Sequence, residues 1–557
     1  MPEYLSPGVY VEEVATGPQP IEGVGTSTAG FLGPTLRGPL EPRLVTGFEQ
    51  FKRIYGGYLP DSFMAYGVDG FFKNGGQRCF IGRITPFDNA TGDPQADTTV
   101  VTHTAITIRA IGPGAWGNRL AVIIGPGTLQ DEAAAEPWPL IKLTVLYWDI
   151  DPTIPPPPDP AGIILDPTHP ANAAEADRRT PTLQEVFDNL SGDPTSSDYF
   201  VTRINAASNL IRVTDASAGA GDNPTRLNFN SVITPPAAPI TIDLVGALGG
   251  TAGTDGPALD VTDYEGFTRP DPTRPDEFYR TGLSGFSEVD EIAIVCVPDL
   301  HGAGLGAPLI SSIVTHCTQQ GDRFAVLHSD PATDSLATVG TLRPPQDTTF
   351  AAFYFPWIKT FDPRTNQPDF LVPPSGHVAG IYADTDVKRG VFKAPANVVV
   401  QGANGLQFQI TKGEQDLLNP RGVNCLRWFP GRGFRVWGAR TCSSDTLWKY
   451  VSVRRLFLFI EESIDQGTQW AVFEPNDERL WGRVRQAVTN FLTTQWREGA
   501  LMGSTPEEAF FVKVDRTTMT DDDILNGRMI CLIGIAPVRP AEFVIFRISQ
   551  LTAAANA

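Results

Sequence analysis

The sequence predicts a mixed α/β (α+β) core that is interrupted by a β-rich insertion and flanked by an extended strand at each terminus. Three observations carry this prediction: amphipathic helices and apolar strands alternate on both sides of the insertion, Pro, Thr, Asp, Ala and Gly dominate inside it, and strand-like residues lie near both ends. We expect five segments: an N-terminal arm (1–17), the first part of the core (18–86), the insertion as a surface domain (87–280), the second part of the core (281–535) and a C-terminal arm (536–557).

Length, composition and charge restrict the class of protein. The 557 residues are 41% hydrophobic and 19% charged, as in a folded protein with sizeable cores, and the formal net charge is −20. A surface this acidic argues against a nucleic acid as the main partner, because phosphate binding needs clustered Lys and Arg. No run reaches the ~18 apolar residues of a membrane helix, and the N-terminus lacks a secretory leader, so we expect synthesis and folding in the cytoplasm.

The first element is a strand bounded by residues that break strands. GVYVEEV (8–14) combines β-branched and aromatic side chains, whereas Pro7 precedes it and a Gly-Pro-Gln-Pro run (17–20) follows it. A strand bounded in this way has no neighbour in sequence with which to pair. We therefore expect it to join another sheet through Val9, Tyr10, Val11 and Val14.

The first part of the core begins with two helices and a strand. Residues 46–57 have one apolar side, and Thr46 and Glu49 have the spacing of a capping box. Residues 60–76 predict a second helix that ends at Asn74-Gly75, and RCFIGRI (78–84) predicts a strand. The order helix, helix, strand is typical of an α/β domain that is not completed before the insertion.

The insertion is predicted to be rich in short strands. Its apolar runs TAITIRAI, RLAVIIG, LIKLTVLYW and NLIRVT alternate with turns, and DPTIPPPPDPAG predicts a stiff, polyproline-like connector. Long loops separate these runs, so we expect a β-rich domain at the surface.

The α/β pattern resumes after residue 288. EIAIVCVPD, GAPLISSIVTHCTQQG and RFAVLHSD predict a strand, a helix and a strand, and therefore a βαβ unit. Two amphipathic helices follow: one has Gly467 at its C′ position, and the other spans residues 477–498 with Asn476 as its N-cap. RMICLIGIAP predicts a strand near the end of this part.

The chain closes with a second terminal strand, whose apolar edge needs to be covered. EFVIFRI (542–548) is apolar on both faces, and an uncovered terminal strand of this kind promotes aggregation. Both termini thus carry strands that need a sheet, either within the chain or in other copies. At this end we expect the pairing residues to be Phe543, Val544, Ile545, Phe546 and Ile548.

One loop in the second part of the core offers an enzymatic alternative. Gly302, Gly304 and Ala307 follow a strand, precede a helix and spell G-x-G-x-x-A, the pattern of dinucleotide-binding loops. Against this function, five residues separate the strand from the motif. The acidic residue at the end of the next strand, Asp330, is also further away than the usual ~20 positions. A cytoplasmic α/β nucleotide-binding enzyme that uses residues 302–307 is therefore the alternative, and a Gly-rich βα loop is the favoured interpretation.

A second group of residues could bind a metal ion or transfer protons. Asp299, His301, His328 and Asp330 end two strands that we expect to be adjacent, which is where α/β enzymes place ligands. Strand ends are also where polar side chains reach water, and the six cysteines form no C-x-x-C pair. No complete active site is present, so we expect no catalysis, no cofactor and no metal.

Residues 419–442 concentrate positive charge in an otherwise acidic chain. NPRGVNCLRWFPGRGFRVWGARTC contains five arginines and no acidic residue. Either the arginines form a cationic patch that faces an acidic partner, such as another copy of the chain, or they pair internally with carboxylates of distant segments. The sequence favours neither interpretation.

Many segments, in order along the chain, resemble one family: the contractile tail sheath proteins of bacteriophages and of related phage-tail-like injection particles. The resemblance is carried by YLSPGVYVEEV, AYGVDGFFKNGGQRCFIGRI, GPGAWGNRL, RGVFKAPAN, GVNCLR, VWGARTCSSD, YVSVRRLFLFIEESI, FEPNDERLWGRVR and FLTTQWREGALMGSTPEEAFFVKVD, and by the final strand. Residues 149–181 and about 217–280 resemble nothing that we can name.

The resemblance implies a structural protein rather than an enzyme. Sheath subunits stack in six-fold rings as a helical sleeve around an inner tube, and their terminal arms complete β-sheets in neighbouring subunits by strand addition. The implied partners are other copies of the chain, the inner tail tube protein, and baseplate and tail terminator proteins, with no nucleic acid, no direct membrane insertion and no cofactor. The core would form the inner wall against the tube, and the insertion would project outward.

The resemblance also suggests how and where the particle works. Contraction would take an extended, metastable sleeve to a contracted state of lower energy. Type VI secretion sheaths are commonly split into two chains, so this single chain favours a phage tail or an extracellular-type injection particle, assembled in the bacterial cytoplasm; these two remain open. The arginine-rich segment and the helix at 477–498 supply the candidate sheath–tube or sheath–sheath contacts, which are Arg427, Arg432, Arg435, Arg483, Arg485 and Arg497.

Overall fold

A computed structural model defines the architecture of the chain. It describes residues 20–87, 98, 100–103, 106–129, 140–148, 181–215, 240–243, 252–271, 274–334 and 336–547. Within these ranges, every helix is too short or too polar to cross a membrane. The strand predicted at residues 8–14 and the polyproline-like connector lie outside the described residues.

Short strands and helices alternate along most of the described chain. The strands are β1 (Ala29–Gly33), β2 (Arg43–Val45), β3 (Cys79–Arg83), β4 (Val100–His103), β5 (Ile106–Ala110), β6 (Leu120–Pro126), β7 (Ile141–Tyr147), β8 (Leu183–Leu190), β9 (Ile211–Asp215), β10 (Ile240–Asp243), β11 (Thr268–Asp271), β12 (Arg274–Arg280), β13 (Ile294–Cys296), β14 (Phe324–His328), β15 (Ala351–Phe355), β16 (Ile358–Asp362), β17 (Gln367–Val372), β18 (Gly405–Leu406), β19 (Val423–Phe429), β20 (Gly433–Val436), β21 (Phe510–Lys513) and β22 (Leu532–Ile535). The helices are α1 (Phe48–Tyr55), α2 (Met64–Lys73), α3 (Phe200–Ala207), α4 (Val261–Glu265), α5 (Gly282–Phe286), α6 (Gly306–Gln320), α7 (Leu336–Thr341), α8 (Ser375–Arg389), α9 (Lys412–Leu418), α10 (Val451–Thr468), α11 (Glu478–Arg497), α12 (Pro506–Ala509) and α13 (Asp521–Leu525).

Strands from both sides of the insertion form the central sheet. Its eight strands have the order β2-β3-β1-β13-β14-β15-β19-β20, parallel from β3 to β19 and antiparallel at both edges. All residues of β1, β13, β14 and β15 are buried, as expected of parallel strands that are covered on both faces. The predicted βαβ unit is confirmed, because β13 and β14 pair in parallel and α6 connects them.

Glycines allow helices α2 and α8 to cross at short distance. A β-carbon added at Gly376 would lie 2.3 Å from the carbonyl oxygen of Gly67, and one at Gly380 would lie 2.4 Å from that of Phe71. Both oxygens belong to the backbone and cannot rotate away, so only glycine permits this approach. His377 is buried in the same contact, and this burial lowers the pKa of its imidazole to about 3.

The predicted ends of the first two helices agree with the structure only in part. The capping box of Thr46 and Glu49 is wrong: the hydroxyl and the backbone N–H of Thr46 both donate to Gln50 Oε1, at 2.9 Å. Gln50, rather than the predicted Glu49, is thus the residue whose side chain turns back to the start of α1. The predicted stop of α2 is confirmed, because the helix is followed by Asn74 and by Gly75, which has a φ of +94°.

The described part of the insertion contains the hairpin of β11 and β12 and two larger antiparallel sheets that share a core. Their strand orders are β10-β6-β7-β8 and β4-β5-β9. Buried apolar residues of β4 to β9 pack together with Trp116 and with helix α3. The predicted strands TAITIRAI, RLAVIIG, LIKLTVLYW and NLIRVT are confirmed as β5, β6, β7 and β9.

The chain divides into two compact units. Of the described residues, the larger unit comprises those within Thr26–Val387 and Pro395–Lys449, and the smaller comprises those before Thr26, the segment Lys388–Ala394 and those from Tyr450 onward. The larger unit therefore holds the central sheet and the described insertion, and the smaller unit holds α10, α11 and the β21–β22 pair. The segment boundaries predicted at residues 17, 86, 280 and 535 stay predictions.

Helix α11 is capped by a different residue from the one predicted. Asp477 accepts hydrogen bonds from the backbone N–H groups of Arg479 and Leu480, both at 2.9 Å, and is the N-cap. The prediction of Asn476 as N-cap is wrong, because its side-chain oxygen accepts a hydrogen bond from the indole of Trp481 at 2.8 Å. Both residue types cap helices well, so the tertiary contact decides between them.

Helix α10 continues past its predicted end. Gly467 lies inside the helix, which ends at Thr468, so its predicted C′ role is wrong. A β-carbon at Gly467 would lie 2.7 Å from Ile21 Cγ2, which is buried in the core of the smaller unit. The glycine thus provides room for a residue from the start of the described chain rather than a left-handed turn.

Candidate functional site

The smaller unit contains a sheet that is incomplete. Strands β21 and β22 pair in antiparallel orientation, and no third strand extends their sheet within the described residues. Phe510 and Ile535 pack into the core of the unit, whereas Phe511 and Leu532, on the opposite face, are 59% and 49% exposed. A two-stranded sheet is marginally stable alone, and its open edges accept further strands. This sheet is therefore a candidate acceptor, and we name it the acceptor sheet.

The chain that follows the acceptor sheet ends in an exposed apolar segment. The large side chains of residues 543–546 (Phe-Val-Ile-Phe) are between 69% and 83% exposed, and residues 541–547 belong to no strand of the single chain. The hydroxyl of Tyr450 donates to Glu542 at 3.2 Å and so holds the start of the segment. Four consecutive exposed large apolar residues indicate a surface that is covered in the functional state. We name residues 541–547 the C-terminal tail.

The tail contains most of the arm residues predicted at this end of the chain. Phe543, Val544, Ile545 and Phe546 are exposed there, side by side. Ile548 lies outside the described residues, as do Val9, Tyr10, Val11 and Val14 of the N-terminal arm. The role of both arms in pairing between subunits stays a prediction.

Three of the predicted contact residues lie in the hairpin of β19 and β20, in the larger unit. Arg427 donates to Gln415 Oε1 at 2.9 Å, and Arg432 and Arg435 donate to the side-chain oxygen of Asn397 at 3.0 and 3.2 Å. These partners are neutral. Within the described ranges these three arginines have no ion-pair partner, and the hydrogen bonds orient each guanidinium without compensating its charge. The choice between a cationic patch and internal pairing stays a prediction.

The other three predicted contact residues lie on helix α11, in the smaller unit. Arg483 forms an ion pair with Glu474 at 2.7 Å, whereas Arg485 lines a groove beside Trp481. Arg497 is exposed and, in the described part of the chain, has no hydrogen-bond or ion-pair partner. The helix contains four arginines and one acidic residue, so its solvent side is cationic in a chain of net charge −20. The fourth arginine, at position 479, was missed by the sequence prediction.

A further exposed feature lies between α10 and α11. Phe473 is fully exposed, its neighbour Val472 is 58% exposed, and the backbone of Phe473 has a φ of +65°, which is rare for an aromatic residue. Backbone strain of this kind persists only where the surrounding structure imposes it. Sequence reasoning missed this feature, although an aromatic residue two positions before Pro475, between two helices, was a usable signal.

The glycine-rich loop of the larger unit is engaged in structural contacts. Gly304 and Gly306 have positive φ angles and lead directly into α6. Asp299, just before the loop, is buried, and its carboxylate accepts hydrogen bonds from Ser62 Oγ at 2.8 Å and from the backbone N–H of Phe63 at 2.6 Å. Burial raises the pKa of Asp299 to about 6. These contacts tie the loop to the start of α2 and do not favour the nucleotide-binding alternative.

The strand-end histidines form a contact with each other rather than a ligand set. His301 Nε2 lies 2.9 Å from the carbonyl oxygen of His328, and His301 Nδ1 lies 3.9 Å from the carboxylate of Asp330. Burial holds the pKa of His328 well below its usual value. Across the described ranges, no cluster of three or more His, Cys, Asp or Glu residues has a geometry that could hold a metal ion.

Two family models match adjacent parts of the chain. The phage tail sheath protein central domain matches residues 276–442, and the phage tail sheath C-terminal domain matches residues 443–550. The first match covers the second half of the central sheet, and the second covers α10, α11, the acceptor sheet and the C-terminal tail.

Individual relatives agree with the family models. A prophage major tail sheath protein of Pseudomonas aeruginosa strain UCBPP-PA14 is 25% identical over 252 residues, which is 42% of this chain and 62% of that protein. This match thus spans less than two thirds of the relative. Among solved structures, the contracted helical sheath of the anti-feeding prophage has 22% identity and a TM-score of 0.54, over 98% of this chain and 100% of that one. The contracted PVC sheath of an extracellular contractile injection system has 20% identity and a TM-score of 0.53, over 100% of both chains.

These structural matches establish a common fold, and the family models cover the region that contains both the acceptor sheet and the tail. The chain belongs to the contractile phage tail sheath protein family, whose members are structural proteins of contractile tails and injection systems.

Proposed function

We propose that this chain is the subunit of a contractile sheath that polymerises as a helical stack of six-fold rings around an inner tube. Contraction of the sheath would drive the tube through a target envelope. The observation that carries the proposal is the combination, in one compact unit, of an incomplete sheet and an exposed apolar tail. The sheath assemblies that share this fold, from the anti-feeding prophage and from an extracellular contractile injection system, support it.

The terminal arms link the subunits by strand addition. The C-terminal tail and the strand at residues 8–14 extend the acceptor sheet of neighbouring copies through main-chain hydrogen bonds, and alternate side chains provide specificity. A tail laid beside β21 or β22 would cover Phe511 and Leu532 while burying its own apolar residues. The roughly 16 residues of the N-terminal arm reach about 50 Å when extended, which is enough to cross to another subunit.

Contraction needs no bond cleavage and no cofactor. The extended sleeve is trapped at assembly, and each subunit then moves largely as a rigid body while the arms serve as tethers. Each subunit that contracts lowers the free energy of the sheath by a small amount. The sum over many copies drives the tube through the envelope. The core forms the inner wall, the insertion projects outward, and the particle is a phage tail or a phage-tail-like injection particle that is assembled in the bacterial cytoplasm, with tube, baseplate and terminator proteins as partners.

The first test compares the full-length chain with a chain that lacks residues 1–17. We expect the full-length protein to form tubes in negative-stain electron microscopy, and the truncated protein to form only small particles, because it lacks the donor strand. Both proteins should show nearly the same circular dichroism, because every described helix and strand begins after residue 17. Tubes of normal length from the truncated chain would exclude pairing through the N-terminal arm.

The cationic side of α11 is the proposed contact with an acidic neighbour, either the tube or another subunit. Replacing Arg483, Arg485 and Arg497 by Gln keeps helix propensity but removes three charges. At ~0.2–1 kcal/mol for each exposed charge pair, we expect the concentration needed for tube formation to rise roughly tenfold, with a weaker dependence on salt.

The matched control for this triple variant is Arg53→Gln, which removes an exposed arginine from α1 in the larger unit. Assembly is measured by sedimentation at several salt concentrations, with and without coexpressed tube protein. If the triple variant and the control assemble alike in all conditions, the cationic side of α11 does not contact an acidic neighbour in the assembled sheath.

A further inference from the structure

The loop between helices α10 and α11 presents an aromatic side chain that the single chain leaves uncovered. Phe473 is fully exposed, and its backbone adopts the left-handed conformation, with a φ of +65°. Val472, beside it, is 58% exposed. Because apolar side chains gain free energy when they leave water, a loop that holds two of them outward is suited to a contact with a partner. We name residues 472–473 the knob.

The knob is held in place by its neighbours in the smaller unit. An ion pair of Glu474 with Arg483, at 2.7 Å, joins the loop to α11, and the same guanidinium lies 5.0 Å from the ring centre of Trp470. The backbone N–H of Val472 donates to the carbonyl oxygen of Gln469 at 3.2 Å. A side chain presented by a well-supported loop loses little conformational freedom on binding, so the knob is preorganised for a partner.

A groove of about 350 Å³ lies beside Trp481, in the same unit. The side chains of Trp481 and Val514 line it and are buried, and Gly482 lies between the helix and this apolar floor. The rim consists of charged and polar residues of α11 and of the turn after β21, which are Glu478, Arg485, Asp515, Arg516 and Thr517. Two carboxylates and two guanidinium groups balance on this rim, so the groove favours an uncharged apolar side chain over an ionic ligand.

Gly482 keeps the groove open. It lies inside α11, where glycine is less favourable than alanine because its backbone loses more freedom on folding. Beyond the adjoining turns of its own helix, no described atom lies within 4 Å of a β-carbon added at this position, so packing within the chain does not require a glycine. A glycine without an internal reason indicates a helix surface that a side chain from outside approaches closely.

The knob and the groove belong to opposite flanks of α11. Because successive residues of a helix are rotated by about 100°, Arg483, which binds the knob loop, points roughly 140° away from Glu478 and roughly 160° away from Arg485 on the groove rim. The knob is thus directed away from the groove of its own chain. A contact between a knob and a groove joins two copies head to tail, and its repetition builds an open helical polymer rather than a closed pair.

We propose that the knob of one copy inserts into the groove beside Trp481 of a second copy. This inference rests on the proposed polymerisation and adds a contact between copies that is separate from strand addition. The ring of Phe473 covers the apolar floor, and Arg485, which forms no hydrogen bond or ion pair within the described ranges, faces the ring as a cation–π partner. A second copy is the occupant, because the chain supplies both an uncovered, uncharged aromatic side chain and a groove whose balanced rim and apolar floor complement it.

The first test removes the knob and fills the groove in separate variants. Phe473→Ala shortens the knob, whereas Gly482→Leu places a side chain in the groove and favours the helix. We expect either variant to raise the concentration needed for tube formation by roughly tenfold or more, measured by sedimentation, with unchanged circular dichroism. The matched control Gln486→Leu adds the same side chain at an exposed position of α11 outside the groove and should assemble like the unchanged chain.

The second test traps the contact with a disulfide. The double variant Val472→Cys, Thr517→Cys keeps Phe473 and the groove floor and places one thiol beside each. After mild oxidation of assembled tubes, we expect a ladder of dimers, trimers and longer species on a non-reducing gel. A mixture of the two single variants should stop at dimers, because each chain then carries only one side of the contact. Gly413→Cys in place of Thr517→Cys, at an exposed helix position of the larger unit, should give no ladder.

Several results would overturn the proposal. These are normal assembly of Phe473→Ala or Gly482→Leu, an equal ladder from the Gly413→Cys variant, and tubes in which mass spectrometry finds no link between positions 472 and 517. A link from position 472 to coexpressed tube protein would make the tube the occupant and would also overturn it. Absence of tubes from the unchanged chain counts against the proposed function instead. The oxidation is then repeated on the concentrated, unassembled double variant, where absence of the linked dimer overturns the inference.

Discussion

Replacing Ile545 by proline is expected to abolish tube formation while leaving the subunit folded. Ile545 is 78% exposed and belongs to no strand of the single chain, so the substitution disturbs little packing and no strand pairing within the described subunit. In a tail paired with a neighbouring sheet, however, proline lacks the N–H that the ladder requires, and its ring blocks close approach of the next strand. Val11→Pro should have the same effect through the N-terminal arm.

The effect of Ile545→Pro is large because the substitution is present at every contact between subunits of the polymer. One ladder hydrogen bond contributes about 1 kcal/mol, and the displaced neighbouring residues lose apolar burial as well. We therefore expect no tubes even at about ten times the concentration at which the unchanged chain assembles. The readouts are negative-stain electron microscopy for tubes and thermal unfolding for the subunit.

The matched control is Ile545→Val, which keeps the N–H and the strand preference of the residue. This variant should assemble like the unchanged chain, and its thermal midpoint should equal that of Ile545→Pro before assembly. If the proline variant forms tubes at the same concentration as the valine variant, the tail does not pair as a strand in neighbouring subunits.

Replacing Gly376 by alanine is expected to destabilise the larger unit by about 2–3 kcal/mol. The added β-carbon would lie 2.3 Å from the carbonyl oxygen of Gly67 and 2.5 Å from its α-carbon. Because these atoms belong to the backbone of α2, no side-chain rotation relieves the overlap, and helices α2 and α8 must move apart. That movement would open the buried contact that contains His377.

The matched control is Gly413→Ala, an exposed glycine of helix α9 in the same unit. No atom lies within 4 Å of the position of its added β-carbon, so alanine should be neutral or should stabilise by up to ~1 kcal/mol through its helix propensity. Both variants are compared by urea unfolding at constant pH. Equal unfolding midpoints for the two would show that the close crossing of α2 and α8 does not occur in solution.

Local patterns predicted most of the individual elements. The apolar runs of the insertion became β5, β6, β7 and β9, and the strand–helix–strand order after residue 288 became β13, α6 and β14. These predictions succeed because the periodicity of apolar residues is a local property. The failures lie at helix ends: Asn476 and Asp477 are both good caps, and the indole of Trp481 binds the first and leaves the second to cap α11.

The candidate site was predicted in composition but not in arrangement. The apolar character of residues 543–546 was visible in the sequence and predicted a segment that needs a partner. The acceptor sheet was not predicted, because β21 and β22 are separated by 18 residues and their pairing cannot be read from either strand alone. The neutral partners of Arg427, Arg432 and Arg435 were likewise invisible, since Asn397 and Gln415 become neighbours only in the fold.

The sequence by itself thus determined the acidic surface, the succession of strands and helices, the family resemblance and the presence of apolar strands at both ends. Only the tertiary structure decided that β1 and β13, some 260 residues apart, are neighbours in one sheet, that Gly376 meets Gly67, and that Arg109 faces Arg212. The physical reason is that side-chain chemistry and periodicity act over a few residues. Pairing between distant segments depends instead on the total burial and hydrogen bonding of the folded chain. No single segment contains the information that determines this pairing.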